Sequence, residues 1–209
     1  MNKHLTIHSI LKTVPVIPVL EIDDIDKAVP LAQALIAGGL TIMEITLRTD
    51  VAFAAMEQIQ EHVPEAVVGA GTVVSESQLK QLEQMQVSFA ASPGITKALL
   101  ASSADCSIAL LPGVSSASEI MLGMEYGFNC FKFFPAEPLG GTKSLKAFSG
   151  PFRSVTFCPT GGVSSHNFHE YLALPNVVCV GGSWVAPKAL IAANDWEGIS
   201  KLAKSTRVF

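Results

Sequence analysis

Eight short runs of apolar, largely β-branched residues recur along the chain, with starts about 20 to 27 residues apart. This period constrains the fold more than any other feature. The runs cover residues 14–20, 41–47, 66–70, 87–91, 108–111, 130–133, 155–158 and 177–180. Runs of this length and composition fit strands buried on both faces. Each is separated from the next by a stretch that holds one helix. Residues 25–37, 51–61, 76–86, 117–126 and 166–172 carry apolar residues near helical spacing. Strands alternating with helices predict βα units and a parallel sheet. Eight such units predict an α/β (β/α)8 TIM barrel, one domain over 1–209, with a short extra helix over 2–12 before the first strand. At 209 residues the chain is short for that fold, where about 250 is typical, so its loops must be lean. An open doubly wound sheet is the alternative, and no GxGxxG follows the first run to support its dinucleotide-binding form.

Composition removes several function classes. Apolar residues make up 49% of the chain and charged residues 15%, against a usual charged level of roughly 25%. Such a chain buries a sizeable core, and the low charge hints that further subunits cover some surface. The net charge of −4 supplies no basic field for nucleic acid. No uninterrupted apolar window spans a membrane. The first residues, with Lys3 and His4 among them, lack the apolar core of a signal peptide, so a cytoplasmic chain is expected. Cys106, Cys130, Cys158 and Cys179 are far apart without a CxxC, which favours reduced thiols over zinc or disulfides. His4 and His8, and His166 and His169, have helical pair spacing but no third ligand in view, so solvated helix faces are expected and no metal or cofactor. Trp184 and Tyr126 are expected to be packing residues.

Barrel active sites lie at the C-terminal ends of the strands. There the alternation of side chains decides which residues face inward. In the second run Met43, Ile45 and Leu47 form one apolar face, while Ile42, Glu44, Thr46 and Arg48 form the other. A carboxylate and a guanidinium thus face the barrel interior near its mouth. A structural Glu–Arg ion pair would explain them as well. In the sixth run Lys132 lies among Phe131, Phe133 and Phe134. Phe131 and Phe133 suit the helix layer, which turns Lys132 inward. Alone it could be an edge lysine that snorkels to solvent. Beside Glu44 and Arg48 it reads as a reactive amine, since burial and a neighbouring guanidinium both favour the neutral form. A neutral lysine forms Schiff bases with carbonyls.

Thr160-Gly161-Gly162 and Gly181-Gly182-Ser183 end the seventh and eighth runs. Loops at those positions often hold a phosphate on backbone N–H groups. Gly69-Ala70-Gly71-Thr72 and Ser92-Pro93-Gly94, after the third and fourth runs, suit either the mouth of a site or plain turns.

Together, Glu44-Ile45-Thr46-Leu47-Arg48-Thr49, Gly69-Ala70-Gly71-Thr72-Val73, Ser92-Pro93-Gly94, Phe131-Lys132-Phe133-Phe134-Pro135-Ala136-Glu137, Cys158-Pro159-Thr160-Gly161-Gly162 and Gly181-Gly182-Ser183-Trp184 resemble the bacterial KDPG/KHG aldolases. The resemblance runs from about Val14 to about Lys204, and Phe131–Glu137 is its most specific part. It implies a homotrimeric class I aldolase without a cofactor. The implied reaction cleaves 2-dehydro-3-deoxy-6-phosphogluconate to pyruvate and glyceraldehyde 3-phosphate. Cleavage of 4-hydroxy-2-oxoglutarate to pyruvate and glyoxylate is implied as well. By motif, Lys132 would be the Schiff-base lysine and Glu44 the proton shuttle. Arg48 and Thr72 would hold the pyruvate carboxylate, with Pro93 and Phe134 shaping its pocket. Thr160, Gly161, Gly162, Gly182 and Ser183 would line the phosphate end. Three rivals remain: an aldolase for the C4-epimeric galactonate-derived substrate, a non-covalent phosphate-binding isomerase with Glu44 as base, and a sugar-acid binding module.

Overall fold

A computed structural model describes residues 7–207. Strands and helices alternate along them. The strands are β1 Val16–Leu20, β2 Ile42–Thr46, β3 Val67–Gly71, β4 Phe89–Ala91, β5 Ala109–Leu111, β6 Gly113–Val114, β7 Cys130–Phe133, β8 Thr156–Pro159 and β9 Val180–Gly182. The helices are α1 Ile7–Leu11, α2 Ala28–Ala37, α3 Ala52–His62, α4 Glu76–Gln84, α5 Lys97–Ala104, α6 Ala117–Glu125, α7 Gly141–Phe148, α8 Phe168–Leu172, α9 Lys188–Ala192 and α10 Trp196–Lys204. α1 accounts for the described part of the expected first helix; residues 2–6, His4 among them, lie outside the described residues.

The strands are parallel, in the orders β5-β4-β3-β2-β1-β9 and β6-β7-β8. All five residues of β2 and all four of β7 are buried, as expected where helices cover a parallel sheet. The fifth run extends further than its sequence suggests: it breaks at Pro112 and resumes as β6. Proline has no N–H for the ladder, so the strand divides there, while its carbonyl accepts the Lys132 N–H at 2.9 Å. The last strand starts later than its apolar run, because Val177 makes only an isolated bridge to Phe157.

Local sequence sets the helix starts. Ser75, Thr96, Ser116 and Asp195 each accept a backbone N–H at a helix N-terminus, and Ser116 with Glu119 forms a capping box. Each such cap stabilises by about 1 kcal/mol. The helix layer covers the outward strand residues. The Phe133 ring meets Phe148 of α7 edge-on at 5.9 Å. The Phe131 ring lies where a Cβ on Gly123 of α6 would intrude. Both phenylalanines therefore face helices, as the alternation predicts. Trp184 packs against Phe168 at 5.7 Å. Tyr126 does not pack as expected: it is 39% exposed, because it caps the C-terminus of α6 where the chain turns away. His166 and His169 are exposed.

The four cysteines are unpaired, and burial pushes the Cys130 thiol up to about 12. Among the described residues no helix is long and apolar enough to cross a membrane. Nor do three or more His, Cys, Asp or Glu side chains group there as a metal would need.

Candidate active site

Glu44 is central in β2 and Lys132 is third in β7. These strands belong to different sheets, yet Lys132 Nζ donates to Glu44 Oε1 at 2.7 Å. The two sheets therefore curve round a shared interior, and this pair lies inside it. Lys132 is 5% exposed and Glu44 3%, so the lysine does not snorkel. Taking both charges out of water costs free energy that their attraction barely returns. A pair kept at such a cost marks a candidate functional site. Space for the carboxylate comes from β3: a Cβ on Gly71 would collide with Glu44. Gly69 serves its neighbour in the same way, leaving room for the Phe89 ring. The Lys132 ammonium also lies 5.8 Å from the centre of the Phe134 ring.

Glu44 does not pair with Arg48. β2 ends at Thr46, whose hydroxyl donates to the Leu20 carbonyl at 2.9 Å, and the chain then turns. Arg48 thus leaves the strand alternation and stands at the mouth, with 47% of its side chain exposed. Its Nε donates to Thr72 Oγ1 at 3.1 Å, and Nη1 lies 3.9 Å from Glu21 Oε2. Thr72 holds φ at 61°, a strained value for a β-branched residue. Such strain persists only where the surroundings enforce it, commonly at functional sites. The charge bonded to the amine is therefore the Glu44 carboxylate, while the Arg48 guanidinium shares the cavity wall with Lys132. A proton passed along the 2.7 Å contact would leave a neutral amine and a neutral acid side by side.

A cavity of about 280 Å³ opens above the pair. Of the residues expected from sequence, Arg48, Lys132, Phe134, Thr160, Gly161, Gly162, Gly182 and Ser183 line it. Glu44 and Thr72 are not on its wall but bond to Lys132 and Arg48, which are. Pro93 is not on the wall either; its backbone lies against Gly113, where a Cβ would intrude.

Elsewhere along the wall, backbone takes over from side chains. Gly161 and Gly162 hold φ at 96° and 81°, left-handed values that glycine adopts without penalty. Among the described residues the N–H groups of Gly162 and Val163 make no hydrogen bond. The loop is fastened from below: Ala136 N–H donates to Thr160 O at 2.8 Å and Glu137 N–H to Gly161 O at 3.0 Å. Tyr171 donates its hydroxyl to Glu137, and burial together with that carboxylate pushes the phenol well above its ordinary value.

A family model described as KDPG and KHG aldolase matches residues 7–202. The chain belongs to the KDPG and KHG aldolase family. It is 50% identical over 196 residues to a KHG/KDPG aldolase of Escherichia coli K12, covering 94% of this chain and 92% of that one. A KDPG aldolase of Legionella pneumophila, with pyruvate captured as a covalent carbinolamine, superposes with a TM-score of 0.94 at 46% identity, covering 96% of this chain and 98% of that one. The 2-keto-3-deoxy-6-phosphogluconate aldolase of Zymomonas mobilis, with 3-phosphoglycerate, superposes with a TM-score of 0.92 at 46% identity, covering 96% and 94%. Membership makes the chain an aldolase, a carbon–carbon lyase.

Two wall residues of this aldolase escape sequence reasoning. Glu21 directly follows β1, and Lys188 opens α9. They are ion-paired to each other, and the hydrogen bond that the Lys188 ammonium donates to Glu21 raises its pKa above the ordinary lysine value. For Glu21 a signal was available, since it follows the first apolar run at the catalytic end of a barrel strand. Lys188 offers none beyond its place shortly after the last glycine turn.

Proposed function

We infer that the chain is a class I aldolase that cleaves 2-dehydro-3-deoxy-6-phosphogluconate to pyruvate and glyceraldehyde 3-phosphate, and 4-hydroxy-2-oxoglutarate to pyruvate and glyoxylate. The observation that carries this reading is the buried 2.7 Å contact between Lys132 and Glu44 at the floor of the cavity. The covalent pyruvate of the Legionella relative supports the lysine route, and the 3-phosphoglycerate of the Zymomonas relative supports a phosphorylated substrate.

In this reading Lys132 passes a proton to Glu44 and its nitrogen attacks the C2 ketone. Loss of water from the carbinolamine gives an iminium. Glu44, directly or through one water, takes the proton of the C4 hydroxyl. The C3–C4 bond breaks, its electron pair moves into the iminium, and the aldehyde leaves. Glu44 returns a proton to C3 of the enamine, and water releases pyruvate and the free lysine. Arg48, with Thr72 behind it, grips the substrate carboxylate in a fork and fixes C2 over the amine. Phe134 supplies an apolar wall, and Pro93, outside the cavity, backs Gly113 of β6, which pairs with Lys132. Thr160, Gly161, Gly162, Gly182 and Ser183 receive the phosphate. None of these steps calls for a metal or cofactor.

The rest of the reading is architectural. The two sheets join as one closed (β/α)8 barrel and one domain. In support, the Pro112 carbonyl links the β5 side to β7, and the Thr160–Gly181 bridge links the β8 side to β9. The enzyme is a cytoplasmic homotrimer. The low charged fraction and the exposed Val74, Met121 and Met124 support burial against other copies. Unpaired thiols suit a reducing compartment.

Borohydride trapping with pyruvate, followed by mass spectrometry, tests the mechanism. The expected result is a label on Lys132 and loss of activity. Retained turnover without that label would favour the non-covalent isomerase-like reading. Rates on the two C4 epimers and on 4-hydroxy-2-oxoglutarate then fix the substrate.

A further inference from the structure

We propose that Lys188 is a specificity-determining residue of this site: it receives the anion at the far end of the substrate, and Glu21 holds it ready until the substrate takes its place. The proposal rests on the aldolase reading above and adds a charged group to it. The proposed phosphorylated substrate has two anionic ends, a carboxylate beside the ketone and a phosphate beyond the cleaved bond. Among the described residues the cavity wall carries three cations, Arg48, Lys132 and Lys188. Lys132 is bonded to Glu44 and must form the covalent bond. Arg48 is bonded to Thr72, and its fork suits the carboxylate near the amine. That leaves Lys188 for the phosphate, on the same wall as Gly162 and Ser183. Backbone N–H groups and one hydroxyl solvate an anion but do not neutralise it; a lysine does.

Glu21 explains how the lysine is kept there. It is the only carboxylate on the wall among the described residues. Alone it would repel an incoming dianion. Bonded to Lys188, and 3.9 Å from Arg48, it sits between two cations and keeps the lysine head at the cavity wall. The Lys188 side chain is 68% exposed, so solvent screens the pair and exchange for a better ligand costs little. A phosphate offers more charge and more acceptor oxygens than the carboxylate it would displace. A plain surface ion pair would share the exposure but would leave substrate preference untouched.

The test compares Lys188→Gln and Glu21→Gln with the wild-type enzyme. The readouts are KM and kcat on 2-dehydro-3-deoxy-6-phosphogluconate, the same on 4-hydroxy-2-oxoglutarate, and exchange of pyruvate methyl protons with deuterium. Lys188→Gln should raise KM for the phosphorylated substrate about tenfold, the scale of one partly screened charge-assisted hydrogen bond. Its KM should also depend less on salt. The shift on 4-hydroxy-2-oxoglutarate, whose second anion lies much closer to the cleaved bond, should stay under about twofold, and pyruvate exchange should follow the wild type. Glu21→Gln frees Lys188 and should lower KM for the phosphorylated substrate about two- to threefold. An unchanged KM in Lys188→Gln, an equal rise on both substrates, or lost pyruvate exchange would overturn the proposal. A failure of the aldolase reading shows elsewhere: the wild-type enzyme would neither exchange pyruvate protons nor cleave either substrate, and the proposal would fall with it.

Discussion

The Lys132 end of the cavity is made of side chains on strands, and the glycine end is made of backbone on loops. Lys132 and Glu44 are almost wholly buried, on elements whose hydrogen-bonded neighbours fix them on both sides. Gly162 and Ser183 are exposed and follow the ends of β8 and β9. Bond making needs reacting atoms held within a fraction of an ångström, which packed strands supply. Recognition of a solvated anion needs donors and charge but less exact placement. The two ends should therefore fail differently when altered, one in kcat and the other in KM.

The largest effect should come from removing the amine. Lys132→Ala leaves nothing to attack the ketone, so borohydride trapping of pyruvate and turnover should both vanish. It also leaves Glu44 buried without its partner, which typically costs about 3–5 kcal/mol of stability if the carboxylate stays charged. Thermal denaturation of the variant separates that loss from the chemistry. Residual turnover at more than about a hundredth of the wild-type rate would contradict the covalent route, since covalent catalysis replaces one difficult step by two easier ones.

Next in size is the proton shuttle. Glu44→Gln keeps the shape and a hydrogen bond but cannot take a proton. kcat should fall by about 10²–10⁴, equivalent to about 3–5 kcal/mol of barrier. Trapping of pyruvate should persist, though slowly, because dehydration of the carbinolamine uses the same group. Deuterium exchange at the pyruvate methyl isolates the step at C3. Exchange at the wild-type rate in Glu44→Gln would assign that proton to another acid.

Gly71→Ala probes the same end without touching a reacting group. The added methyl would collide with the Glu44 carboxylate and push it off Lys132. A shift of about 1 Å at such a site costs about 10²-fold in rate. kcat should fall by that order while KM for the phosphorylated substrate moves little. Equal losses in both parameters would mean that the two ends are mechanically coupled.

These pairs also show what the sequence makes legible. Period-two alternation in an apolar strand turns Lys132 inward whatever the rest of the fold does, and the same holds for Glu44 inside β2. Arg48 lies on the cavity wall but reaches it from the turn after β2, because alternation holds only while the strand lasts and β2 ends two residues earlier. The Lys132–Glu44 contact spans 88 positions and two sheets, so no local pattern reveals it. Gly71 suits either the mouth of a site or a plain turn by sequence, and nothing local shows that its missing side chain makes room for a carboxylate on the neighbouring strand. Pro112 was a visible warning that the fifth strand divides. Lys188 and Glu21 meet 167 positions apart through loop geometry that no periodicity describes.

At the glycine end a bulky side chain should act on binding. Gly162 has a φ of 81°, and a Cβ there would collide with Glu137. Gly162→Val therefore displaces the loop that we assign to the phosphate. KM for the phosphorylated substrate should rise by an order of magnitude or more, since several donors move together and each charge-assisted bond contributes about 1.5–3 kcal/mol. KM for 4-hydroxy-2-oxoglutarate should change far less. Equal losses on both substrates would mean that the loop only supports the fold.

The smallest expected effect lies one layer beneath that loop and tests how stiff it must be. Tyr171 is fully buried, and its hydroxyl donates to the Glu137 carboxylate. Glu137 in turn gives its N–H to Gly161 and fills the space beside Gly162. Tyr171→Phe removes one hydrogen bond and keeps the ring, so the core stays packed. The carboxylate loses a donor but lies on the exposed side of the loop, where water can replace it. Stability should fall by about 1 kcal/mol, the usual net value of one hydrogen bond. If the loop depends on this anchor, KM for the phosphorylated substrate should rise about two- to fivefold on the same scale, with kcat on 4-hydroxy-2-oxoglutarate unchanged. A loss of kcat on both substrates would carry the disturbance to Lys132, through the Ala136 and Thr160 hydrogen bond that ties the loop to β7 and β8. The strand-built end would then owe part of its rigidity to the loop-built end, and the division between chemistry and recognition drawn here would have to be abandoned.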